Sequence, residues 1–164
     1  MAMIGYMSLE EQVDKEFLRA RRRALFGWLA ARVRGHSERG ALLAFEETRR
    51  TMRADNRVYL GRRVVEVSNI VGSVDRHREF SSDFMPAKAR MAERWKRVDR
   101  AFHRGVMLPP VRLYRLGNAY FVDDGNHRVS VARYQGVVWI EAEVTQLHPR
   151  LCADPRRCGT LAAC

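Results

Sequence analysis

The first third of the chain has apolar positions spaced with the period of an α-helix. Ser8 and Glu11 form a capping-box pattern at the start of this stretch. The apolar stripe that follows consists of Val13, Phe17, Ala24, Trp28 and Ala31. The pattern predicts a helix over residues 9–33, and a second apolar pattern predicts another helix over residues 38–53. We expect the two to pack as an α-helical hairpin within residues 1–56.

After the predicted hairpin, the pattern changes to short β-branched runs separated by turns. A strand is predicted at Val64–Val71, and Pro86 fits the first position of a helix that Gly105 closes. Further strands are predicted at residues 111–114, 119–122 and 138–144. Gly117-Asn118 is typical of a hairpin turn between the first two of these.

These elements predict an α+β fold. A small mixed β-sheet with packed helices would occupy residues 57–147, preceded by the N-terminal α-helical hairpin. Residues 148–164 would form a C-terminal tail, because His148-Pro149 ends the regular pattern.

A compact polar motif separates the strand at 119–122 from a short helix. Its sequence is Asp123-Asp124-Gly125-Asn126-His127-Arg128. Histidine and arginine cations in a first helical turn oppose the helix dipole, unless an anion binds at the free N–H groups of that turn. The motif therefore predicts a phosphate site. The alternative is an ordinary turn in which His127 and Arg128 pair with Asp123.

The positive net charge of the chain favours negatively charged binding partners. The net charge is +11, and of the 30 basic residues three are lysines and the rest are arginines. Such a surplus favours polyanions, either nucleotides or DNA. The cluster of Arg19 and Arg21–Arg23 fits nucleic-acid binding, but the solvated face of a packed helix is the commoner origin of such runs.

The absence of recognisable targeting signals favours a cytoplasmic protein, and the cysteine pattern agrees with this. No run of about 18 apolar residues is present, so we expect no membrane partner. The N-terminus lacks the pattern of a secretion signal. Cys152, Cys158 and Cys164 are odd in number and do not match compact zinc spacing, so we interpret them as incidental thiols of the tail.

The order of elements from about Val64 to Thr145 resembles the ParB-like N-terminal domain of the ParB/sulfiredoxin superfamily. The segments that carry this resemblance are Ile70-Val71-Gly72-Ser73, Arg76–Phe80, the helix ending at Gly105, Leu108-Pro109-Pro110-Val111, Tyr120–Arg128 and Gly136–Ile140. They cover about half of the chain. The resemblance implies a nucleotide pocket that holds CTP, ATP or ADP, usually with Mg²⁺.

The resemblance also implies roles for individual residues of the polar motif. Gly125 would let the backbone approach a phosphate closely. Asn126 would cap the helix or touch the ligand. His127 and Arg128 would contact phosphate oxygens, and an arginine of the earlier loop would join them. That arginine is Arg76 or Arg78.

Carboxylates near the motif are the implied metal ligands and bases. Asp123 and Asp124 would hold Mg²⁺, since a hard cation prefers carboxylate oxygens. Glu79 or Asp123 would orient the attacking group. His127 and Arg128 would stabilise charge on the transferred phosphoryl group.

Two departures from the family pattern limit the function. Asn126 stands where the sulfiredoxin branch has a reactive cysteine, so we expect no reduction of sulfinic acids. The residues after the last predicted strand are too few for a helix-turn-helix domain, so we do not expect site-specific DNA binding of the ParB kind.

Three hypotheses follow. The first is a nucleotide-binding domain that acts as an NTPase or phosphotransferase. The second is a nuclease or non-specific DNA-binding protein of the same fold. The third is a non-catalytic regulatory module that dimerises through the N-terminal hairpin.

Overall fold

The computed structural model describes residues 7–33 and 41–149. The helices are α1 Leu9–Val33, α2 Phe45–Thr51, α3 Ala92–His103 and α4 Asn126–Tyr134. The strands are β1 Leu43–Ala44, β2 Ala54–Glu66, β3 Ile70–Ser73, β4 Val111–Leu116, β5 Ala119–Asp124 and β6 Trp139–Pro149. Short 3₁₀ turns at Val67–Asn69 and Ala89–Met91 precede β3 and α3.

The six strands form one mixed sheet in the order β1-β3-β5-β4-β6-β2. Strand β5 pairs in parallel with β3 and antiparallel with β4, while β6 pairs in parallel with β4 and antiparallel with β2. Gly117, at a positive φ of 59°, makes the turn between β4 and β5 as predicted. The predicted α+β fold class with a mixed sheet and packed helices is confirmed, and one helix, α1, precedes the sheet.

Alternating side chains of the strands separate two cores. Val111, Leu113 and Val122 face a core that includes Val129 of α4. Leu116 and Phe121 face the other side of the sheet. Helix α4 therefore lies against the first face, and it positions the polar motif at the end of β5.

Helix α4 is packed on two sides. Its outer side contributes Val131 to a core shared with Phe17 of α1 and Trp95 of α3. Trp95 is fully buried, and its indole Nε1 donates a hydrogen bond of 2.9 Å to the Ser130 hydroxyl. Helices α1, α3 and α4 thus share one core on the same side of the sheet.

The predicted helical hairpin is wrong. Helix α1 packs on α3, whereas α2 lies on the opposite face of the sheet. There Phe45 stacks on Tyr114 with ring centroids 4.9 Å apart. Leu42 and Phe45, which both fall within the predicted second helix, face different cores because β1 lies between them. The predicted helix over 38–53 is reduced to seven residues, and its first three positions lie outside the described residues.

Two other boundaries differ from the prediction. Strand β2 begins at Ala54, and it pairs with β6 along a ribbon that ends at Glu66. The sequence pattern predicted strand only from Val64, because residues 55–57 are polar and Gly61 interrupts the apolar run that follows them. Pro86 pairs with Phe80 in an isolated β-bridge and does not begin α3, because a tight loop bonded from Ser81 to Met85 precedes it.

The predicted C-terminal tail includes the last two residues of β6, and the three cysteines lie outside the part of the chain that the structure describes. Within residues 7–33 and 41–149, no helix has both the length and the apolar character to cross a bilayer.

Candidate functional site

A left-handed glycine forms the turn between β5 and α4. Gly125 has φ 102°, a conformation that side chains rarely adopt. A Cβ atom there would lie 2.7 Å from Val111 Cγ1 and 3.0 Å from Arg128 Nε. The space that the glycine leaves open is thus filled by the protein's own Arg128. This differs from the predicted role, in which a phosphate approaches the Gly125 backbone.

The start of α4 has no side-chain cap. Gly125 is the N-cap residue, and no side chain accepts a hydrogen bond from the first turn. The prediction that Asn126 caps the helix is wrong, because Asn126 is itself the first helical residue and is buried. The N–H groups of an uncapped first turn have no intrahelical acceptor, so they are available to an anion.

These residues border a cleft of about 520 Å³ between α3, the loop before β4 and the start of α4. Of the predicted site residues, the cleft brings together Arg76, Asp123, Asp124, Gly125, Asn126, His127 and Arg128. Arg78 is exposed and does not line it, so the loop arginine at this site is Arg76. Glu79 borders an adjoining cavity of about 350 Å³, which shares Arg76 and His127 with the cleft.

Arg128 is anchored within the protein. Its Nη2 donates to Asp124 Oδ2 at 2.6 Å, and its Nη1 donates to the backbone carbonyls of Pro109 and Pro110. The ion pair that the sequence offered as the ordinary alternative does form, with Asp124 in place of Asp123. Arg128 therefore holds the Pro109-Pro110 loop against α4, and its positive charge at the cleft is partly neutralised.

His127 is neutral at physiological pH. Burial, together with the nearby charges of Arg76 and Arg94, lowers the pKa of its imidazole to about 4, against an opposing effect of Glu79. His127 is 7% exposed. Only Arg128 is therefore a cation in the first turn of α4, where the sequence predicted two.

Two polar side chains at the cleft are buried without partners. Within the described part of the chain, neither Asn126 Oδ1 nor His127 Nδ1 has a hydrogen-bond partner. Both residues are 7% exposed and both line the cleft. Buried polar atoms are nearly always paired, so this pair of atoms indicates a ligand position.

Helix α3 contributes two arginines to the cleft. Arg94 and Arg97 line it from the side opposite the polar motif. No carboxylate among the described residues lies within salt-bridge distance of either one. Neither residue was predicted from the sequence, although their three-residue spacing on a predicted helix places them on one face. With them the cleft is lined by four arginines (Arg76, Arg94, Arg97 and Arg128) and three aspartates (Asp75, Asp123 and Asp124), so its lining keeps a small net positive charge.

Glu79 is held between two arginines. Its carboxylate accepts hydrogen bonds from Arg76 Nη1 at 3.0 Å and from Arg90 Nη2 at 2.5 Å. Burial raises the pKa of Glu79, but the Arg90 and Arg76 contacts outweigh burial and the pKa is lowered. A carboxylate in this state is a weak base, and its main effect is to fix Arg76 at the border of the cleft.

The carboxylates predicted to bind Mg²⁺ are each paired with an arginine. Asp123 Oδ2 lies 3.5 Å from Arg112 Nε, and Asp124 is paired with Arg128. Among the described residues, neither belongs to a group of three potential ligands close enough to enclose a cation. Because Mg²⁺ commonly uses one or two carboxylates together with substrate phosphates, these residues fit the ion only when a nucleotide completes its coordination.

An apolar cavity of about 420 Å³ adjoins the cleft. Its walls include Phe102, Met107, Val131 and Ile140. The two spaces share Val98, Leu108, Pro109 and Arg128 as a common wall. A cationic space beside an apolar one suits a ligand with a charged end and an apolar or planar body.

Comparison with known proteins gives a partial structural similarity and no sequence match. Neither a known protein family nor a curated protein matches the sequence. The structure is similar to the crystal structure of sulfiredoxin from Arabidopsis thaliana, with 12% sequence identity and a TM-score of 0.37. The matched region covers 55% of this chain and 84% of that one. At this TM-score the similarity carries no argument about relationship or activity.

Proposed function

We propose that the cleft at the start of α4 binds the phosphate groups of a nucleotide, and that the protein is an NTPase or phosphotransferase. The observation that carries the proposal is the pair Arg94 and Arg97, which have no carboxylate partners within the described residues and face an uncapped helix N-terminus. Fixed cations and free N–H groups together are the chemistry that binds polyphosphate.

The shape of the site favours a nucleotide over inorganic phosphate. The cationic cleft of about 520 Å³ would hold the phosphates, and the apolar cavity of about 420 Å³ would hold the base. Arg128, in the common wall, lies where the two parts of such a ligand would meet.

Catalysis of phosphoryl transfer depends mostly on positioning and charge neutralisation, which arginines supply. His127 is neutral and partly unpaired, so its role would be to donate or accept a hydrogen bond at the attacking group. Asp123, which borders the cleft, is the second candidate for that role. When Mg²⁺ accompanies the nucleotide, Asp123 and Asp124 are the carboxylates that would hold it, and the ion would neutralise phosphate charge.

Calorimetric titration with ATP, ADP and CTP, each with and without Mg²⁺, tests the binding. The informative variant is R94Q, and R78Q is the matched control because Arg78 is exposed and outside the cleft. Loss of one charge-assisted hydrogen bond costs about 2 kcal/mol, so we expect R94Q to weaken the affinity at least tenfold. R78Q should stay within about twofold of the wild type.

Absence of binding by all three nucleotides to the folded protein would reject the proposal. Equal weakening in R94Q and R78Q would also contradict it, because the effect would then arise from net charge alone. Turnover is tested separately by release of inorganic phosphate, which H127Q should reduce more than it reduces affinity.

DNA binding is the second candidate, and exposed arginines on α1 favour it. Arg19, Arg22 and Arg23 are exposed along this helix. Binding through such a surface should weaken steeply with added salt, since each phosphate contact releases counterions. Absence of a gel shift at low salt would exclude it. If the wild type binds both ligands and R94Q weakens nucleotide binding but leaves DNA affinity unchanged, the two ligands bind to separate surfaces.

Self-association through α1 is the third candidate. The C-terminal half of this helix exposes Leu25, Phe26, Trp28 and Leu29, each at least 48% accessible in the described structure. Because the helical hairpin does not form, the surface expected to mediate a homodimer is α1 alone. Light scattering of the wild type and of F26E tests this, and a dimer that persists in F26E would contradict it.

A further inference from the structure

A second group of titratable side chains lies at the opposite end of α4 from the cleft. It consists of Glu16 from α1 and of Asp99 and His103 from α3. The α3 pair is one helical turn apart, so both side chains lie on the same face of α3. None of these residues borders the cleft or the apolar cavity.

The three side chains converge on one point. One ligand atom from each lies within 4.8 Å of the other two. His103 Nε2 is 2.8 Å from Glu16 Oε2 and 3.8 Å from Asp99 Oδ2. In tetrahedral zinc coordination, ligand atoms about 2.0 Å from the ion are about 3.3 Å from one another. The two separations lie on either side of that value, so small side-chain movements would enclose a cation.

The group is short of positive charge. Asp99 is completely buried, and its Oδ2 has no hydrogen-bond partner in the described structure. The contacts given to these carboxylates within residues 7–33 and 41–149 come from His103, from the neutral amides of Gln12 and Gln135, and from each other. In a chain so rich in arginine, a buried carboxylate beside a partly buried one, neither with an arginine partner among the described residues, is an unusual arrangement.

We propose that Glu16, Asp99 and His103 bind one divalent transition-metal cation, with zinc as the expected ion. An imidazole with two carboxylates is a ligand set for zinc and similar metals, whereas Mg²⁺ and Ca²⁺ prefer oxygen ligands alone. Water or the amide oxygen of Gln135 would complete the coordination. The ion would join α1 to α3 and to the end of α4, and so act in stability.

Zinc titration of the full-length, chelator-treated protein tests the proposal. We expect one equivalent to bind and to raise the unfolding temperature. H103Q and D99N should each weaken binding by about 100-fold or more, since even residues outside the ligand set change metal affinity by about 10- to 100-fold. The matched control is E10Q. Glu10 also joins α1 to α3, through Arg100 at 2.6 Å, but it lies outside the group and E10Q should bind like the wild type.

Cobalt titration distinguishes this site from the tail cysteines. Co²⁺ bound by nitrogen and oxygen gives visible ligand-field bands, while thiolate ligands add strong near-ultraviolet absorption. We expect the visible bands alone, and we expect them to remain when Cys152, Cys158 and Cys164 are replaced by serine. The cobalt spectrum is measured on a protein that keeps Glu16, Asp99 and His103, so it tests the site even if H103Q or D99N fails to fold.

Three results would overturn the proposal. One is the absence of zinc binding by the folded wild type, which would leave the two carboxylates sharing a proton. Another is full retention of binding in both H103Q and D99N. The third is loss of binding in the triple cysteine variant. Nucleotide binding at the cleft uses none of these side chains, so the outcome of the nucleotide titrations does not depend on the outcome of the zinc titrations.

Discussion

Acidification should destabilise the protein through His127. The imidazole has its ordinary pKa of 6.5 in the unfolded chain and a pKa of about 4 in the fold, because it is buried beside Arg76 and Arg94. Between these pH values the unfolded chain binds more protons than the native one. The free energy of unfolding therefore falls as the pH drops from 6.5 to 4, and rises again on neutralisation. The difference between the two pKa values corresponds to about 3 kcal/mol.

Urea denaturation at several pH values measures this contribution. Other carboxyl groups also titrate in this range, so the useful quantity is the difference between wild type and H127Q. We expect the stability of the wild type relative to H127Q to fall by about 3 kcal/mol between pH 7 and pH 4. H148Q is the matched control because His148 is exposed, and its difference from wild type should not follow this trend.

Two outcomes would refute the reasoning. The first is a wild-type minus H127Q difference that does not change with pH. The second is an NMR titration in which the His127 ring has a pKa near 6.5. A bound phosphate would add negative charge beside the ring, so saturating inorganic phosphate should raise the His127 pKa and reduce the acid sensitivity of the protein.

Two substitutions test the packing that holds the site. Replacing Gly125 with alanine forces a side chain into a φ of 102° and to within 2.7 Å of Val111, so we expect a loss of about 2 to 4 kcal/mol by urea denaturation, together with weaker nucleotide binding. A G125A protein as stable as the wild type would show that the crowding is easily relieved. Replacing Ser130 with alanine leaves the buried Trp95 N–H without its acceptor and should cost about 1 to 3 kcal/mol, while S68A at an exposed position should change stability by less than about 0.5 kcal/mol.

Local sequence signals explain which elements could be predicted. Helix α1, the β4–β5 turn and the glycine turn before α4 depend on residues close together in the chain, so capping and turn chemistry predict them. Strand β2 could not be recognised in the same way. Its first half, which begins with polar residues, is stabilised by pairing with β6 residues that lie 86 to 95 positions later in the sequence, from Tyr59↔Thr145 to Ala54↔Pro149. The cores into which Leu42 and Phe45 pack likewise depend on the sheet, which the sequence near these residues does not reveal.

The same reasoning explains which parts of the site were missed. The polar motif is contiguous, so its residues could be identified from the sequence. Arg94 and Arg97 reach the cleft because α3 packs against α4, which the spacing of residues within α3 does not reveal. The neutral state of His127 depends on how deeply the fold buries it. The register of the loop arginine was open by two residues, and the position of the loop places Arg76 at the cleft.

The anchoring of Arg128 has a thermodynamic consequence. One guanidinium holds the Pro109-Pro110 loop and also forms part of both the cationic cleft and the apolar cavity. A ligand that draws this group away from its two carbonyl acceptors releases the loop and alters both spaces together. Occupancy of one space and affinity in the other are then linked, and by reciprocity each ligand changes the binding of the other by the same factor.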